Sequence, residues 1–127
     1  MERMLRFVLL YHDCPPAFGK PSHWDLMLER DGALLTWSLA ELPPTWCTVG
    51  VRSPTDAGAQ SINATRIADH RLEYLDYEGP ISGGRGAVRR HDWGHYELLG
   101  ETPADLQVRL HGKRIDAELL LPQKSPA

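Results

Sequence analysis

A chain of 127 residues with 42% apolar and 24% charged side chains is of ordinary globular composition and the right length for one domain with one core. A net charge of −3 and a pI near 6.0 exclude a broadly basic nucleic-acid coat protein, although an enzyme that touches only a nucleic-acid end needs just a few local cations. Two cysteines, Cys14 and Cys47, make no disulfide framework, and the apolar stretch Met4 to Tyr11 is too short for a signal peptide core or a membrane span, so a cytoplasmic location without membrane contact is expected.

Eleven glycines and ten prolines favour short strands joined by turns. Leu5 to Tyr11 (LRFVLLY) is a run of β-formers, read as a strand buried on both faces, with His12 at its end. Asp13 to Ser22 carries three prolines and a glycine and is expected to be loop without regular structure. His23 to Glu29 alternates, Asp31-Gly32 is a hairpin signal, and Ala33 to Leu39 is the return strand, ended by Leu42-Pro43-Pro44. Trp46 to Val51 is a candidate strand and Ser53 to Gly58 a turn or loop. Thr65 to His70 reads as a strand and Arg71 to Glu78 as the place for a helical turn. After the glycine-rich 79–86, Ala87 to Trp93 and His95 to Leu99 read as two strands around Gly94. Leu106, Val108 and Leu110 alternate, as do Ile115, Ala117, Leu119 and Leu121, which makes a last hairpin before a frayed tail from Pro122. The expectation is an all-β domain spanning 1–127 with minor helix, a small closed or nearly closed β-barrel of about eight short strands.

His23-Trp24-Asp25 is the sharpest chemical feature. Side chains at i and i+2 of a strand share a face, so His23 and Asp25 project together, followed by Met27 and Glu29, while Trp24, Leu26 and Leu28 take the more apolar face. If the strand ending in His12 is a neighbour, two imidazoles and a carboxylate come within reach of one divalent ion, a set that suits a catalytic site with open positions. The plainer reading of His-x-Asp is a surface hydrogen bond. His70 and Tyr74 sit four residues apart where a helical turn places them on one side, with Arg66 on the His70 strand face; they are candidates to bind and protonate a phosphate ester, or else turn and packing residues. Cys14 is a further ligand, a reactive thiol or a bystander. Gly83-Gly84-Arg85-Gly86 lacks the Lys-Ser/Thr of a nucleotide loop and reads as glycines permitting a sharp strand entry or a bulge. The four tryptophans read as packing, and a second metal site at His91 and His95 is the weaker alternative.

Taken in order, these motifs resemble the 3′-phosphoesterase domain family found at the start of bacterial DNA ligase D and in stand-alone relatives. That family carries an apolar strand ending in His, then His-Tyr-Asp-Phe-Arg-Leu-Glu, then Gly-Val-Leu-x-Ser-Trp. Phe7 to His12, His23 to Glu29 and Gly32 to Trp37 match these elements. Asp69-His70, Tyr74, Tyr77 to Ser82, His91 to Glu97 and Leu110 to Leu121 follow in the family's order. The resemblance implies a β-barrel and a manganese-type site of His12, His23 and Asp25, with Zn2+ or Co2+ as other ions. It also implies a phosphate-side His70 and Tyr74, and removal of a 3′-phosphate or 3′-ribonucleoside from DNA or RNA ends. The implied partners are a DNA or RNA 3′ end and DNA ligase or other repair proteins.

This chain departs from the family pattern at several positions. Ten residues separate His12 from His23 where the family has about five, Met27 stands for an Arg, Leu10 for a Gln, Glu41 near a Lys, and Ala68 for an acidic residue. Arg66 and Arg85 are the candidates to replace a lost guanidinium. A degenerate domain that binds metal and a DNA end or repair partner without turnover is the alternative, and a metal-free small-ligand barrel is the third.

Overall fold

A computed structural model of the chain describes residues 4–43, 46 and 60–124. The strand expected after Trp46 and the turn expected at 53–58 lie outside the described residues. Among the described residues, nine strands form one sheet: β1 (Leu5–Asp13), β2 (His23–Arg30), β3 (Ala33–Leu39), β4 (Gln60–Ser61), β5 (Thr65–His70), β6 (Gly79–Pro80), β7 (Ala87–Glu101), β8 (Asp105–Gly112) and β9 (Asp116–Pro122). Two of these, β4 and β6, are two residues long, and the described helix is confined to 3₁₀ turns such as Pro16–Phe18 and Leu72–Leu75. The sheet order is β4-β9-β8-β7-β1-β2-β3-β5, with β6 paired to β7, and the sheet curls into a half-barrel. The all-β barrel expectation is thereby met.

β1 runs through the middle, and Phe7, Val8, Leu9 and Leu10 are all buried because both of its faces are covered. Phe7 and Leu9 point into the curl with Leu26, Leu28, Trp37, Leu106, Val108, Leu110, Leu119 and Leu121, which form the main core. Val8 and Leu10 point outward with Met27, Leu34 and Val88 and are capped by Leu75 of the 72–75 turn. Each of these side chains is worth about 1.5–3 kcal/mol relative to exposure, so the main core dominates stability. Two hydrogen bonds span the interior: Trp37 Nε1 donates to the Pro122 carbonyl at 2.7 Å, and the Tyr96 hydroxyl donates to the Glu29 carbonyl at 2.7 Å.

The β2–β3 hairpin turns on Asp31 (φ 52°) and Gly32 (φ 81°), the left-handed pair that a two-residue turn requires. Three local expectations are corrected. β7 is one continuous strand rather than two; Gly94 is needed because a Cβ there would collide with the His111 carbonyl of β8, and the irregularity instead falls at His91, where the pairing with β1 shifts between Leu9 and Leu10. The tail is held at its start, since Pro122 belongs to β9 and the Gln123 N–H donates to the Ala104 carbonyl at 2.9 Å. The 13–22 loop contains one ordered 3₁₀ turn, with Pro16 in its first position and Gly19 (φ 79°) closing it.

Candidate metal centre

His12 and His23 are direct cross-strand partners at the end of the β1–β2 ladder, and Asp25 pairs with Leu10 two residues inward. The long connection between the two histidines is absorbed in the loop, which is tied across its base by Cys14 N–H to Ser22 Oγ (2.9 Å) and Ser22 Oγ to Asp13 Oδ1 (3.4 Å). His12, His23 and Asp25 therefore share the outer face, as their strand positions require. The imidazole centroids are 4.8 Å apart, His12 Nδ1 lies 3.8 Å from Asp25 Oδ2, and His23 Nε2 lies 3.3 Å from Asp25 Oδ1.

The protons can be assigned from the neighbours. His12 Nε2 is 2.7 Å from the Arg85 carbonyl and His23 Nδ1 is 3.0 Å from the Pro21 carbonyl. A carbonyl only accepts, so both of these nitrogens carry hydrogen. In the neutral rings the remaining nitrogens, His12 Nδ1 and His23 Nε2, are lone pairs turned toward the Asp25 carboxylate. Lone pairs facing a buried anion repel it unless a proton or a cation lies between. Asp25 is 4% exposed, and its Oδ1 is buried without a hydrogen bond. The carboxylate draws the pKa of His23 above the usual imidazole value, against the opposing effect of burial. Outer N–H groups held by backbone carbonyls, with inner nitrogens converging on a carboxylate, is the arrangement that orients histidines as metal ligands. The residues present fit a divalent cation.

Cys14 stands closer to this cluster than the sequence alone indicates. Potential ligand atoms of His12, Cys14 and His23 lie within 4.8 Å of one another. The Cys14 sulfur is 4.0 Å from His23 Nδ1, on the side of the ring already occupied by Pro21, and burial raises the thiol pKa, which favours the protonated form.

His70 and Tyr74 are brought together, ring centroids 5.7 Å apart and edge-on, with Tyr77 continuing the stack at 5.8 Å from Tyr74. His70 Nδ1 bonds the Ala68 carbonyl at 3.0 Å. The register sets this pair apart from the histidine cluster. Asp25 pairs with Ser38 and that residue with Thr65, whereas His70 pairs with Leu34 in the Glu29 row. Four residues of strand separate those rows, about 13 Å, on the same face. Beside Tyr74 lies a groove of about 310 Å³ lined by Arg71, Glu73, Tyr74, Tyr77, Ser82 and Arg85; neither His70 nor the histidine cluster lines it, and its one tie to the cluster is the Arg85 carbonyl that holds His12.

Of the two candidate replacement cations, Arg85 lines that groove, and its side chain bonds only Ser82 among the described residues. Arg66 is engaged elsewhere: it lies over the Trp37 ring at 5.1 Å and donates to the Thr36 and Ile67 carbonyls and to Asp69. Met27 is 1% exposed among Val8, Leu10, Leu34 and Leu75. A second opening, about 380 Å³, reaches His23 itself and is lined by Lys20, Ser22, Ser38, Asn63 and Thr65. Sequence reasoning missed Lys20, Ser38 and Asn63, which carry no spacing signal and meet only through the loop and the β3–β5 pairing. In the 79–86 segment Gly86, just before β7, has φ 92°, and a Cβ there would collide with the Asp13 carbonyl; Gly83 (φ 78°) and Gly84 (φ 68°) are needed for their left-handed backbone alone.

Residues 16–123 match the family described as the DNA Ligase D 3′-phosphoesterase domain. His23, Asp25, His70 and Tyr74 fall inside that match; His12 and Cys14 precede it. The chain is 33% identical over 106 residues to the multifunctional non-homologous end joining protein LigD of Mycobacterium bovis, an overlap that covers 78% of this chain and 12% of that protein. The same values hold for the multifunctional non-homologous end joining DNA repair protein LigD of Mycobacterium tuberculosis. Against LigD of Mycolicibacterium smegmatis the identity is 28% over 115 residues, covering 80% of this chain and 14% of that protein. The matched segment thus spans a small fraction, 12–14%, of these relatives. With a family match over most of its length and the fold described above, this chain belongs to the DNA ligase D 3′-phosphoesterase domain family.

Proposed function

We propose that the domain is a metal-dependent phosphoesterase that trims 3′ ends of DNA or RNA in strand-break repair, removing a 3′-phosphate or a 3′-ribonucleoside. The observation that supports this reading most is the inward convergence of His12 Nδ1 and His23 Nε2 on the buried, under-bonded Asp25 carboxylate. These three residues would hold a divalent ion, Mn2+ foremost, with Zn2+ and Co2+ as other candidates. Such an ion supplies positive charge that polarises a phosphoryl oxygen and lowers the pKa of a bound water.

The chain's own residues then have separable tasks. The Pro21 and Arg85 carbonyls fix the two ring orientations. Lys20, at the opening beside His23, offers an ammonium to a phosphate oxygen. Arg85 and Tyr74 line a groove on the Arg85 side of the cluster and would hold the strand behind the reacting end. His70, with its Nδ1 bonded to the Ala68 carbonyl, stands about 13 Å along the face from the cluster, so its Nε2 would contact the strand behind the reacting end and not the scissile ester oxygen.

The test is release of inorganic phosphate from a 3′-phosphate oligonucleotide with added Mn2+. His12→Ala and Asp25→Ala are expected to abolish it, and turnover that survives both changes refutes the reading. A second reading, a domain that binds metal and a DNA end or a repair partner such as a ligase without turnover, is favoured by Met27, which buries an apolar side chain where the family carries a guanidinium. Bound metal with no hydrolysis of any 3′-end substrate would decide for it.

A further inference from the structure

Tyr11 and Trp24 are the chain neighbours of His12 and His23 and pair with each other across β1 and β2, so they point to the opposite face at the same end of the sheet. There they meet Arg89, the β7 partner of Tyr11, at the mouth of the curl. A cleft of about 510 Å³ opens at this mouth, lined by Tyr11, Trp24, Arg89, Arg90, His91 and Arg114, with Glu78 as its one carboxylate. It is the largest of the described clefts, and the proposed phosphoesterase mechanism makes no use of it.

Three features distinguish it from a solvated surface patch. First, the charge is unbalanced, with three guanidiniums against Glu78. That carboxylate is engaged with Arg90, accepting from its backbone N–H at 3.0 Å and lying 3.8 Å from Nε. Among the described residues Arg89 and Arg114 make no ion pair. Second, Trp24 Nε1, Arg90 Nε and His91 Nε2 are all buried and lack a hydrogen-bond partner. Of the five such atoms in the described structure, three belong to residues of this one cleft. Unpaired buried polar atoms are costly; two of these, Trp24 Nε1 and Arg90 Nε, are N–H donors, and buried donors without partners beside a cationic cavity call for an acceptor-rich ligand. Third, two aromatic rings stand together at the mouth, tilted by 57° to one another. The Tyr11 and Trp24 rings lie 5.0 Å apart, and the Arg89 guanidinium sits over Tyr11 at 5.5 Å. Guanidiniums beside aromatic rings are the pairing that takes a phosphate and the base attached to it.

We infer that the barrel mouth is a second nucleic-acid contact, in which Arg89, Arg114 and the Trp24 indole N–H bind a backbone phosphate of a single strand while Tyr11 and Trp24 meet its base. The sheet end would then hold substrate from both sides, chemistry on the outer face and a strand anchor on the inner one. The substrate class rests on the phosphoesterase reading, but the contact needs no metal, and this separates the two experimentally. Arg89 and Arg114 are exposed, so their replacement leaves the fold intact.

The experiment measures fluorescence anisotropy of a short labelled single-stranded oligonucleotide, without terminal phosphates, in excess EDTA. Arg89→Gln and Arg114→Gln are each expected to weaken binding about tenfold at low salt. Each should also flatten the dependence of log K on log salt by about 0.7. Trp24→Phe keeps a ring but loses the N–H donor and should weaken binding with a smaller change in salt slope. Binding by both Arg variants equal to the parent overturns the proposal. Competition by a nucleoside monophosphate or inorganic phosphate as effective as that by the oligonucleotide overturns the assignment to a strand. Cleft-dependent binding in EDTA together with failure of Mn2+-dependent phosphate release would leave this contact standing and remove the phosphoesterase.

Discussion

Replacing Asp92 tests how the barrel mouth is built. Asp92 is 0% exposed and lies beside the β7 irregularity. Its carboxylate accepts backbone N–H groups from Lys113 (2.8 Å), Arg114 (3.2 Å to each oxygen) and Ile115 (2.8 Å), besides Trp93 (2.9 Å). The first three bonds close the β8–β9 turn onto β7 and thereby place Arg114 at the cleft. Hydrogen bonds to a charged acceptor contribute about 1.5–3 kcal/mol each, and each donor left buried and unpaired costs about 1–3 kcal/mol. Three such bonds, less than additive because they share one acceptor, set the loss for Asp92→Ala at about 4 kcal/mol or more. That is comparable to the whole stability of a marginal domain, about 5 kcal/mol, so this variant alone can be uninformative. Asp92→Asn keeps one acceptor oxygen and turns an NH2 group toward the other donors, which sets a smaller loss of about 2–3 kcal/mol and a fall in Tm of about 10 °C. Urea denaturation followed by circular dichroism measures both. An Asn variant within 1 kcal/mol of the parent, or equal losses for the two substitutions, would refute the reasoning.

Gly112→Ala should destabilise by about 2–3 kcal/mol, because the added Cβ collides with the Asp92 carboxylate and meets Phe7 Cζ at 2.9 Å; a urea midpoint unchanged from the parent contradicts this. For His23 the folded-state pKa lies above the unfolded value near 6.5, so its ion pair with Asp25 stabilises fully below pH 6.5 and is lost as pH rises through the folded value. Metal-free protein should therefore lose stability as pH rises above about 6.5, added Mn2+ should reverse the trend by taking the proton's place, and the same decline in Asp25→Asn would contradict the assignment. Arg85→Ala should lower phosphate release about tenfold with little change in Tm, whereas Arg66→Ala should cost about 1–2 kcal/mol of stability through lost bonds and stacking on Trp37; the reverse pattern would exchange their roles.

Much of this molecule follows from its sequence through local rules. Strand alternation alone puts His23 and Asp25 on one face and Leu26 and Leu28 on the other, because the side-chain period of a strand is two. Asp31-Gly32 sets the β2–β3 hairpin because few residue pairs tolerate the two left-handed conformations it needs. The bounds of β3, Ala33–Leu39, coincide with its apolar run for the same kind of reason. What only the tertiary structure decided is which distant groups meet. The long loop returns His23 opposite His12 and carries Cys14 beside it, which no spacing rule predicts. Gly94 reads as a break but is a point of contact with β8, since the atom that forbids a side chain there belongs to His111, seventeen residues on. Asp92 looks like one more polar residue in a β-run until the 113–115 turn delivers three N–H groups to it. The His91 irregularity gathers arginines from β7 and from the β8–β9 turn around two aromatic rings. Backbone conformation is a property of neighbours in the chain, whereas a site is a property of sheet order and register, and those emerge only when the whole sheet closes on its core.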